Sequence, residues 1–568
     1  MSAIDVDPDV PSSGMNHRLT GGTLLASVVA VMVAQIGLSI PAVLNGMIQR
    51  DLDTTSAQLT WVSAAFLVPI TLLELSCGVL GDLFGRKRLL AIGSSLVTVG
   101  MLLAYLTPTG GSHAVQMTFL FGGQVIGGIG AAALFPTSVA MLAAGTHTVK
   151  ERSKSISIWA AALTAGGFIS PVMAGVLAEL PHDGGENASW RYGFLGLAVL
   201  GAISTVITLA FARNSSSPKG RSLDIPGQVT VAIGLFALVF GVIQGSEGDW
   251  SSPLVVGSFV AAVVFLAAFV VIERRTAQPL VQLDLFANRV FVVTAIVTVL
   301  SMFAYLGTAY ATSIRLSAIQ GYSPLMTSVG FVCLNIMGVV LFPVSSRLLQ
   351  HYNPGWILAV GAALIGVGDV ALALIPATNL SIAAIAFPLL VIGAGFKLAV
   401  TSITSVSVNS VPTSKAGMAS GMTSMIRDFG LTLGPSVIGA IALTRAASEI
   451  SQNVAASPQL TSALDAFNAS PQNAPAPAQA ELQGAVNAVN SGPIGANGVP
   501  STVTMPDGSI HPLNPIKDVA FHALSNGYAI GYLVCGIAAI LAAVIAAALL
   551  GGRPHHNVFA DEEHAMDH

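Results

Sequence analysis

The chain has 568 residues, of which 53% are hydrophobic and only 9% carry a charge. Soluble proteins carry charges on about a quarter of their residues, so this composition excludes an ordinary soluble protein. The formal net charge of -4 leaves no basic excess to hold a polyanion. We therefore expect a membrane protein that has no nucleic-acid partner.

Long apolar runs recur along the whole chain, and at about 20 residues per crossing they predict about fourteen membrane spans. The first run, 23–44, lacks a small-residue cleavage site, so we interpret it as a retained span and not as a signal peptide. Runs of this length satisfy their backbone hydrogen bonds as helices and do not suit barrel strands. The remaining predicted spans are 59–80, 88–106, 115–143, 155–178, 191–212, 226–244, 253–272, 291–314, 324–346, 355–376, 381–407, 417–445 and 527–550.

The lysines and arginines of the loops fall on one side of the predicted membrane. Cytoplasmic loops are enriched in these residues, which predicts that both termini are cytoplasmic. The opposite side carries Asp183, Glu186, Glu247 and Asp249 in its short loops. The basic residues of the predicted cytoplasmic side are Arg18, Arg86, Lys87, Arg88, Lys150, Arg152, Lys154, Arg213, Lys219, Arg221, Arg274, Arg275, Arg289, Arg347, Lys415 and Arg553.

The predicted outer connection 446–526 is much longer than the other loops. It is rich in Ala, Asn, Pro, Ser and Gln, with a short helical pattern at 481–489. Such a segment buries too little apolar surface to offset its ordering entropy, so we expect a disordered or loosely packed cap. The alternative is a lid over the outer mouth or a docking site for an envelope partner.

A few charged residues lie inside the predicted spans, where burial is costly and a functional role is the default interpretation. Glu74 lies about 12 Å deeper than Asp82 in the second span, and is either a proton or substrate site or a structural carboxyl. Asp369 and Lys397 lie in successive spans and suggest an ion pair, which would serve either structure or transport. Arg315 lies near the outer end of its span, where its long side chain is expected to reach the interface.

A glycine-rich basic segment separates the second and third spans, and it reads Gly78-Val79-Leu80-Gly81-Asp82-Leu83-Phe84-Gly85-Arg86-Lys87-Arg88. It resembles the loop signature of the major facilitator superfamily, G-x-L-x-D-x-x-G-R-K/R. Further resemblances over most of the chain point to the fourteen-span drug:proton antiporter branch of that family. In the family this loop latches the cytoplasmic face. The gate residues that the resemblance implies are Gly78, Asp82, Gly85, Arg86 and Lys87, with Arg427 and Asp428 of the thirteenth span.

The fifth span carries Gly166, Ser170, Pro171, Ala174 and Gly175, which resemble a worn form of the antiporter motif G-x-x-x-G-P-x-x-G-G. Small residues at this spacing let two helices approach closely. The motif therefore serves either tight packing between the two halves of the protein or a direct role in coupling.

Two positions depart from the family pattern. Gly37 stands where family members commonly carry an aspartate in the first span, and Gln124 stands where they carry an arginine in the fourth. Both groups are linked to proton coupling in the family. The sequence therefore predicts a proton path that is altered or absent.

The resemblance implies an all-α integral membrane protein with the major facilitator fold, in which two six-helix bundles flank two inserted helices. The first bundle is expected at 23–212, after a cytoplasmic tail at 1–22, and the inserted helices at 213–272. The second bundle is expected at 273–445 and 527–550, interrupted by the outer loop 446–526 and followed by a cytoplasmic tail at 551–568.

The expected function is secondary active transport, because the sequence contains neither a phosphate-binding G-x-x-x-x-G-K-[ST] loop nor a hydrolase motif. By resemblance, the protein exports lipophilic drugs or lipids across the cell membrane by alternating access, in exchange for protons. We expect no enzyme activity, no cofactor and no metal site. One alternative is a lipid or envelope-component exporter with weak or altered proton coupling. Another is a scaffold that transports nothing and presents the outer loop.

Overall fold

The computed structural model describes residues 19–146, 149–216, 223–245, 250–276, 279, 281, 283–411, 416–456, 502–504, 510–512 and 514–551. Several residues used in the sequence predictions lie outside these ranges, among them most of the predicted outer loop with its 481–489 pattern. Of the charged loop residues used to predict the orientation, those outside the described ranges are Arg18, Lys219, Arg221, Glu247, Asp249, Lys415 and Arg553.

Within the described residues, 13 helices are long and apolar enough to cross a membrane, and a bent pair of helices makes a fourteenth span. The prediction of an all-helical membrane protein with about fourteen spans is confirmed. The helices are α1 (Gly21–Leu52), α2 (Ser56–Phe84), α3 (Arg86–Tyr105), α4 (His113–Ala144), α5 (Val149–Leu177), α6 (Arg191–Phe211), α7 (Ile225–Gly245), α8 (Pro253–Glu273), α9 (Arg289–Ile314), α10 (Pro324–Val340), α11 (Phe342–His351), α12 (Pro354–Leu374), α13 (Ile382–Asn409), α14 (Ala416–Ala456) and α15 (Asn514–Leu550).

Shorter elements connect some of these helices. They are two 3-10 helices at Glu186–Trp190 and Leu283–Ala287, and a π-helical turn at Arg315–Ile319 that continues α9. Two short strands, β1 (Thr502–Thr504) and β2 (Ile510–Pro512), pair in antiparallel register.

The connection between the last two spans is shorter than the sequence predicted. α14 continues to Ala456 and α15 begins at Asn514, so both helices extend into the predicted loop 446–526. The β1–β2 hairpin also lies within that segment, where the sequence predicted no strand. The rest of the predicted loop lies outside the described residues.

The turn between α2 and α3 depends on Gly85, whose φ of 102° is unfavourable for residues with a side chain. A Cβ atom at this position would also lie 2.8 Å from the side-chain oxygen of Asn214. Asn214 accepts a hydrogen bond from the backbone N–H of Lys87, and Arg86 N donates to Ser215 O. The segment after α6 therefore docks directly on this turn.

The tenth span is broken, because α10 and α11 meet at an angle of 42°. Pro343 lies in the first turn of α11, where its missing N–H removes a helical hydrogen bond to the preceding turn. The bend therefore has a local cause in the sequence.

The spans form two halves. In the first half, α1 packs on α4, α5 and α6, and α3 packs on α4 and α6; in the second, α9 packs on α14 and α15, and α12 on α13 and α15. The halves meet mainly where α2 packs on α14 and α5 packs on α10, and α1 also contacts α9 and α10. We call the end of the molecule that holds the α1–α2 turn the α1–α2 end, and the opposite end the α2–α3 end.

The inserted hairpin α7–α8 packs beside the line where α2 meets α14. Gln228 of α7 accepts a hydrogen bond from Ser76 Oγ and donates one to Leu72 O, both on α2. The ring of Trp61 lies 5.9 Å from that of Phe236 between centroids. The hairpin thus covers one edge of the interface between the halves.

A buried ion pair ties three helices together at the α1–α2 end. Arg191 Nη1 lies 2.6 Å from Asp51 Oδ2, and the indole N–H of Trp190 donates to the same oxygen at 2.9 Å. The guanidinium also donates to Thr107 O and Pro108 O beyond the end of α3, at 2.7 and 3.0 Å. This network joins the ends of α1, α3 and α6.

We predict that Asp51→Asn lowers the free energy of unfolding by about 3 kcal/mol, because it leaves the buried Arg191 guanidinium without a counter-charge. The measurement is thermal unfolding of the purified protein in detergent, followed by tryptophan fluorescence.

Asp53→Asn is the matched control. Asp53 is exposed and has a φ of 50°, a conformation that asparagine also tolerates, so its melting temperature should stay near that of the wild type. Equal losses in the two variants would contradict a structural role for the ion pair.

Candidate functional site

Three charged side chains from the two halves meet in the interface between α2 and α14. Glu74 and Asp428 are each 5% exposed, and the carboxyl of Glu74 interacts with both Asp428 and Arg427. Arg427 Nε donates to Asp428 Oδ1 at 2.8 Å. The sequence analysis had assigned Glu74 to a proton or substrate site and the other two residues to a gate, but the structure places them in one cluster.

The two carboxyl groups of this cluster share a single guanidinium. Glu74 Oε2 and Asp428 Oδ2 are buried, and neither atom has a hydrogen-bond partner among the described residues. If both acids were ionised, the buried cluster would carry a net negative charge, and one proton shared between the acids removes it. The cluster is therefore suited to binding and releasing a proton.

Hydrogen bonds between hydroxyl groups line the same interface on the side of the α1–α2 end. Thr71 of α2 and Thr432 of α14 are joined at 2.8 Å, and so are Thr60 of α2 and Tyr310 of α9. The charged cluster is thus part of a polar strip that runs between the halves.

Asp369 and Lys397 do not form the ion pair that their positions in successive spans suggested. Asp369 is fully buried and accepts a hydrogen bond from Thr308 of α9 at 2.6 Å. Lys397 Nζ lies 4.6 Å from the centroid of the Phe342 ring instead. The two side chains leave α12 and α13 in different directions, so the expected pairing is wrong.

An aromatic and amide group, which the sequence analysis missed, lies where α1, α5, α9, α10 and α13 come together. The rings of Tyr305 and Phe396 stack with centroids 3.6 Å apart, and the Tyr305 hydroxyl donates to Asn335 Oδ1 at 3.2 Å. A Cβ atom on Gly167 would lie 3.3 Å from Asn335 Oδ1 and 3.7 Å from Gln35 Nε2. Amides inside two apolar spans were the signal that could have located this group.

The sequence predicted that the side chain of Arg315 reaches the membrane–water interface, and this prediction is wrong. It is 4% exposed, and it donates to Ile375 O and Pro376 O beyond the end of α12, both at 2.9 Å.

No group of three or more His, Cys, Asp and Glu side chains suited to a metal ion occurs among the described residues.

A family model described as "Major Facilitator Superfamily" matches residues 25–435. The chain belongs to this superfamily. Membership makes it a multi-pass membrane transporter and not an enzyme.

Two curated members of the superfamily resemble the chain over most of its length. The multidrug resistance protein Stp of Mycobacterium tuberculosis is 30% identical over 74% of this chain and 75% of its own. The tetracenomycin C resistance and export protein of Streptomyces glaucescens is 28% identical over 77% of this chain and 78% of its own.

Solved structures of superfamily transporters share the fold. A bacterial homolog of the human lysosomal transporter Spinster, described as inward-facing and unoccupied, has a TM-score of 0.59 at 15% identity and covers 94% of this chain and 98% of its own. A peptide transporter has a TM-score of 0.57 at 13% identity, covering 94% and 97%.

The superfamily loop signature, Gly78 to Arg88, packs within the first half. Arg86 Nη2 binds Asp82 Oδ1 at 2.7 Å, and Nη1 donates to Ala140 O of α4 at 3.2 Å. Lys87 Nζ donates to Leu209 O of α6 at 2.9 Å. These contacts join α2, α3, α4 and α6, while the predicted role of the signature in gating remains a prediction.

The antiporter-like motif of α5 brings that helix close to two others. Ser170 Oγ donates to Ile36 O of α1 at 2.8 Å, and a Cβ atom on Gly166 would lie 2.9 Å from a backbone oxygen of α1. On another face, a Cβ atom on Gly175 would lie 3.0 Å from Pro324 O of α10. Ala174 is fully buried and Pro171 is buried as well. The motif therefore packs α5 between both halves.

The two positions that depart from the family pattern are filled by close packing. A Cβ atom on Gly37 would lie 2.4 Å from the ring of the buried Phe66, so a longer side chain would require that ring to move. Gln124 is fully buried and donates to Val62 O at 2.8 Å. The acidic group of the interface is instead supplied by Glu74 of α2 together with Asp428.

We predict that Asp428→Asn destabilises the protein more than Glu74→Gln does, by about 2 kcal/mol, because it removes the counter-charge that Arg427 Nε contacts at 2.8 Å. The measurement is thermal unfolding of both single variants and the double variant in detergent.

The double variant tests whether the two acids interact. Residues that share a partner are expected to be non-additive, so its loss should differ from the sum of the single losses. Strict additivity, or a larger loss for Glu74→Gln, would contradict this arrangement.

Proposed function

We propose that this transporter exports lipophilic small molecules across the cell membrane by alternating access, in exchange for protons. The names of the relatives, a multidrug resistance protein and an antibiotic resistance and export protein, support the substrate class. We further propose that both termini and the α2–α3 end face the cytoplasm, since the basic loops lie on that side.

The observation that carries the proposal is the pair of buried carboxyls, Glu74 and Asp428, on opposite halves. When α2 and α14 are together, water is excluded and the pair retains a proton that cancels its excess charge. When the halves part there, water reaches the acids and each ionises independently. For exchange, a proton reaches the pair along the polar strip while the α1–α2 end is open, and it is released when the halves part at the α2–α3 end.

The contacts between the halves support a cavity that is closed at the α1–α2 end. Asn45 of α1 donates to Ser313 Oγ of α9 at 3.1 Å, and Ser313 Oγ donates to Ala42 O. A Cβ atom on Gly46 would lie 2.7 Å from the Cβ of Ser317. We propose that the substrate enters from the α2–α3 end and leaves when these contacts open.

The aromatic and amide group at the centre is the proposed substrate site. Tyr305 and Phe396 offer flat apolar surface, and Gln35 and Asn335 offer polar contacts that orient a ligand. Lys397, whose ammonium group lies over the Phe342 ring, stays a candidate for contact with the substrate.

Export of lipids or envelope components with altered proton coupling is the second candidate function. It is favoured by Gly37 and Gln124, which leave the family's usual proton-coupling positions without an acid or an arginine. The scaffold alternative depends on the outer loop, most of which lies outside the described residues.

We predict that Glu74→Gln abolishes gradient-driven export, because glutamine cannot carry a proton between the two states. The measurement is accumulation of a panel of lipophilic dyes and drugs in cells, with and without a protonophore. Cells with the wild-type protein should accumulate less dye or drug than empty cells, but only without the protonophore. Cells with the variant should accumulate as much as empty cells in both conditions.

Two matched variants make this test specific. Glu179→Gln removes an exposed acid and should export like the wild type. Asp369→Asn removes a buried acid away from the interface and should keep its dependence on the gradient. Retained gradient dependence in Glu74→Gln, with loss in Asp369→Asn, would move proton coupling to the second half. No difference between wild-type and empty cells, followed by transport of labelled lipid, would favour the second candidate.

We predict that Phe396→Ala raises the substrate concentration for half-maximal export about 5- to 30-fold, since loss of one stacked ring costs about 1–2 kcal/mol. Phe387→Ala on the same helix is the control, because Phe387 is 73% exposed on the outer face. Equal effects of the two variants would argue against a central substrate site.

A further inference from the structure

A separate cavity of about 310 Å³ lies at the α1–α2 end of the second half. It is bounded by the end of α12, the first turns of α15 that reach the bundle, and the π-helical turn after α9. Thr378, His522 and Asn526 are exposed at its mouth, and Arg315 and Tyr532 are buried at its base. Its volume suits a small ligand or a lipid headgroup.

The base of the cavity holds a cation that has no counter-charge. Arg315 makes no ion pair with any described residue, and its Nε atom is buried without an acceptor. Its other nitrogens donate to carbonyl oxygens, which carry only the partial charges of a helix end. A full charge buried in this way is stabilised by an anion.

The first half contains a comparable arginine, Arg191, although it lies at the start of the sixth span and Arg315 follows the first span of its half. Arg191 binds the carbonyls beyond α3 just as Arg315 binds those beyond α12, and α3 and α12 are the third spans of their halves. However, Arg191 also pairs with Asp51 at 2.6 Å. The second half has an open cavity beside its arginine, and no acid among the described residues forms an ion pair with that arginine.

The acids around the cavity do not take this place. Glu449 accepts a hydrogen bond from Asn526 at the mouth, at 3.0 Å. Asp369 binds Thr308, one turn before Thr312, which bonds the Tyr532 hydroxyl at 3.0 Å. Asp369 Oδ2 has no hydrogen-bond partner among the described residues, but neither acid forms an ion pair with Arg315, so the charge of Arg315 remains available to a ligand.

We infer that this cavity binds an oxyanion of the phosphate class, with Arg315 as its buried counter-charge. The phosphate belongs either to a free anion or to a phospholipid headgroup. One wall supports the second source, because Leu374 at the cavity and Val367 on the same helix are 77% and 60% exposed, as expected for lipid-facing residues. The site is separate from Glu74 and from the proposed substrate site.

The test is thermal unfolding of the full-length protein in detergent after removal of bound lipid. Inorganic phosphate is compared with chloride at equal ionic strength, and detergent micelles that contain phosphatidylglycerol are compared with detergent micelles that contain diacylglycerol, which has no phosphate. The wild type should be stabilised by phosphate, by phosphatidylglycerol, or by both. Stabilisation by phosphate identifies a free anion as a sufficient ligand, and stabilisation by phosphatidylglycerol alone identifies the headgroup.

Ala529→Asp gives the cavity the acid that the first half already has, and leaves the bonds of Arg315 to α12 intact. This variant should need an anion concentration about tenfold higher or more for the same rise in melting temperature, while Ala529→Asn should respond like the wild type. Thr378→Asp, at an exposed position of the mouth, repeats the test should Ala529→Asp fail to fold. Equal responses in the Asp and Asn variants, or no anion response in the wild type, would overturn the inference.

Discussion

A polar group inside the apolar core of a bilayer must find its partner within the protein, because no water is available there. The backbone meets this requirement by forming helices, and the side chains meet it by binding a neighbouring helix. Gln124 binds Val62 O of α2, Ser170 binds Ile36 O of α1, and Thr60 of α2 binds the Tyr310 hydroxyl of α9. The polar side chains of the spans therefore mark the places where one helix is fixed to another.

These polar contacts differ according to whether they lie within one half or between the two. Ser94 and Ser204 join α3 to α6 at 2.9 Å, and Asp51 joins Arg191, so each contributes to a rigid half. Thr71 with Thr432 joins the halves, as does the interaction of Glu74 with Asp428. A single hydrogen bond contributes about 1 kcal/mol, so contacts of the second kind can break and re-form at modest cost.

The fold could be predicted from the sequence because the membrane permits few solutions for runs of apolar residues. The depth of Glu74 in its span also identified it as a candidate, but its partners could not be predicted, since α2 and α14 lie far apart in the chain.

Asp369 and Lys397 show the converse, because two side chains on neighbouring helices need not face each other. Gln35 and Asn335 were missed because uncharged amides cost less to bury than charges and so stand out less. The length of the Arg315 side chain led to the prediction that it reaches the membrane–water interface, but it binds the carbonyl oxygens at the end of α12 instead.

The inserted hairpin α7–α8 has a mechanical consequence for the interface that it covers. Gln228 attaches it to α2, and the indole N–H of Trp250, in the turn before α8, donates to Thr444 of α14 at 3.4 Å. The hairpin is therefore bonded to both halves, one of its ends to α2 and the other to α14. Any separation of α2 from α14 has to break one of these bonds or bend the hairpin.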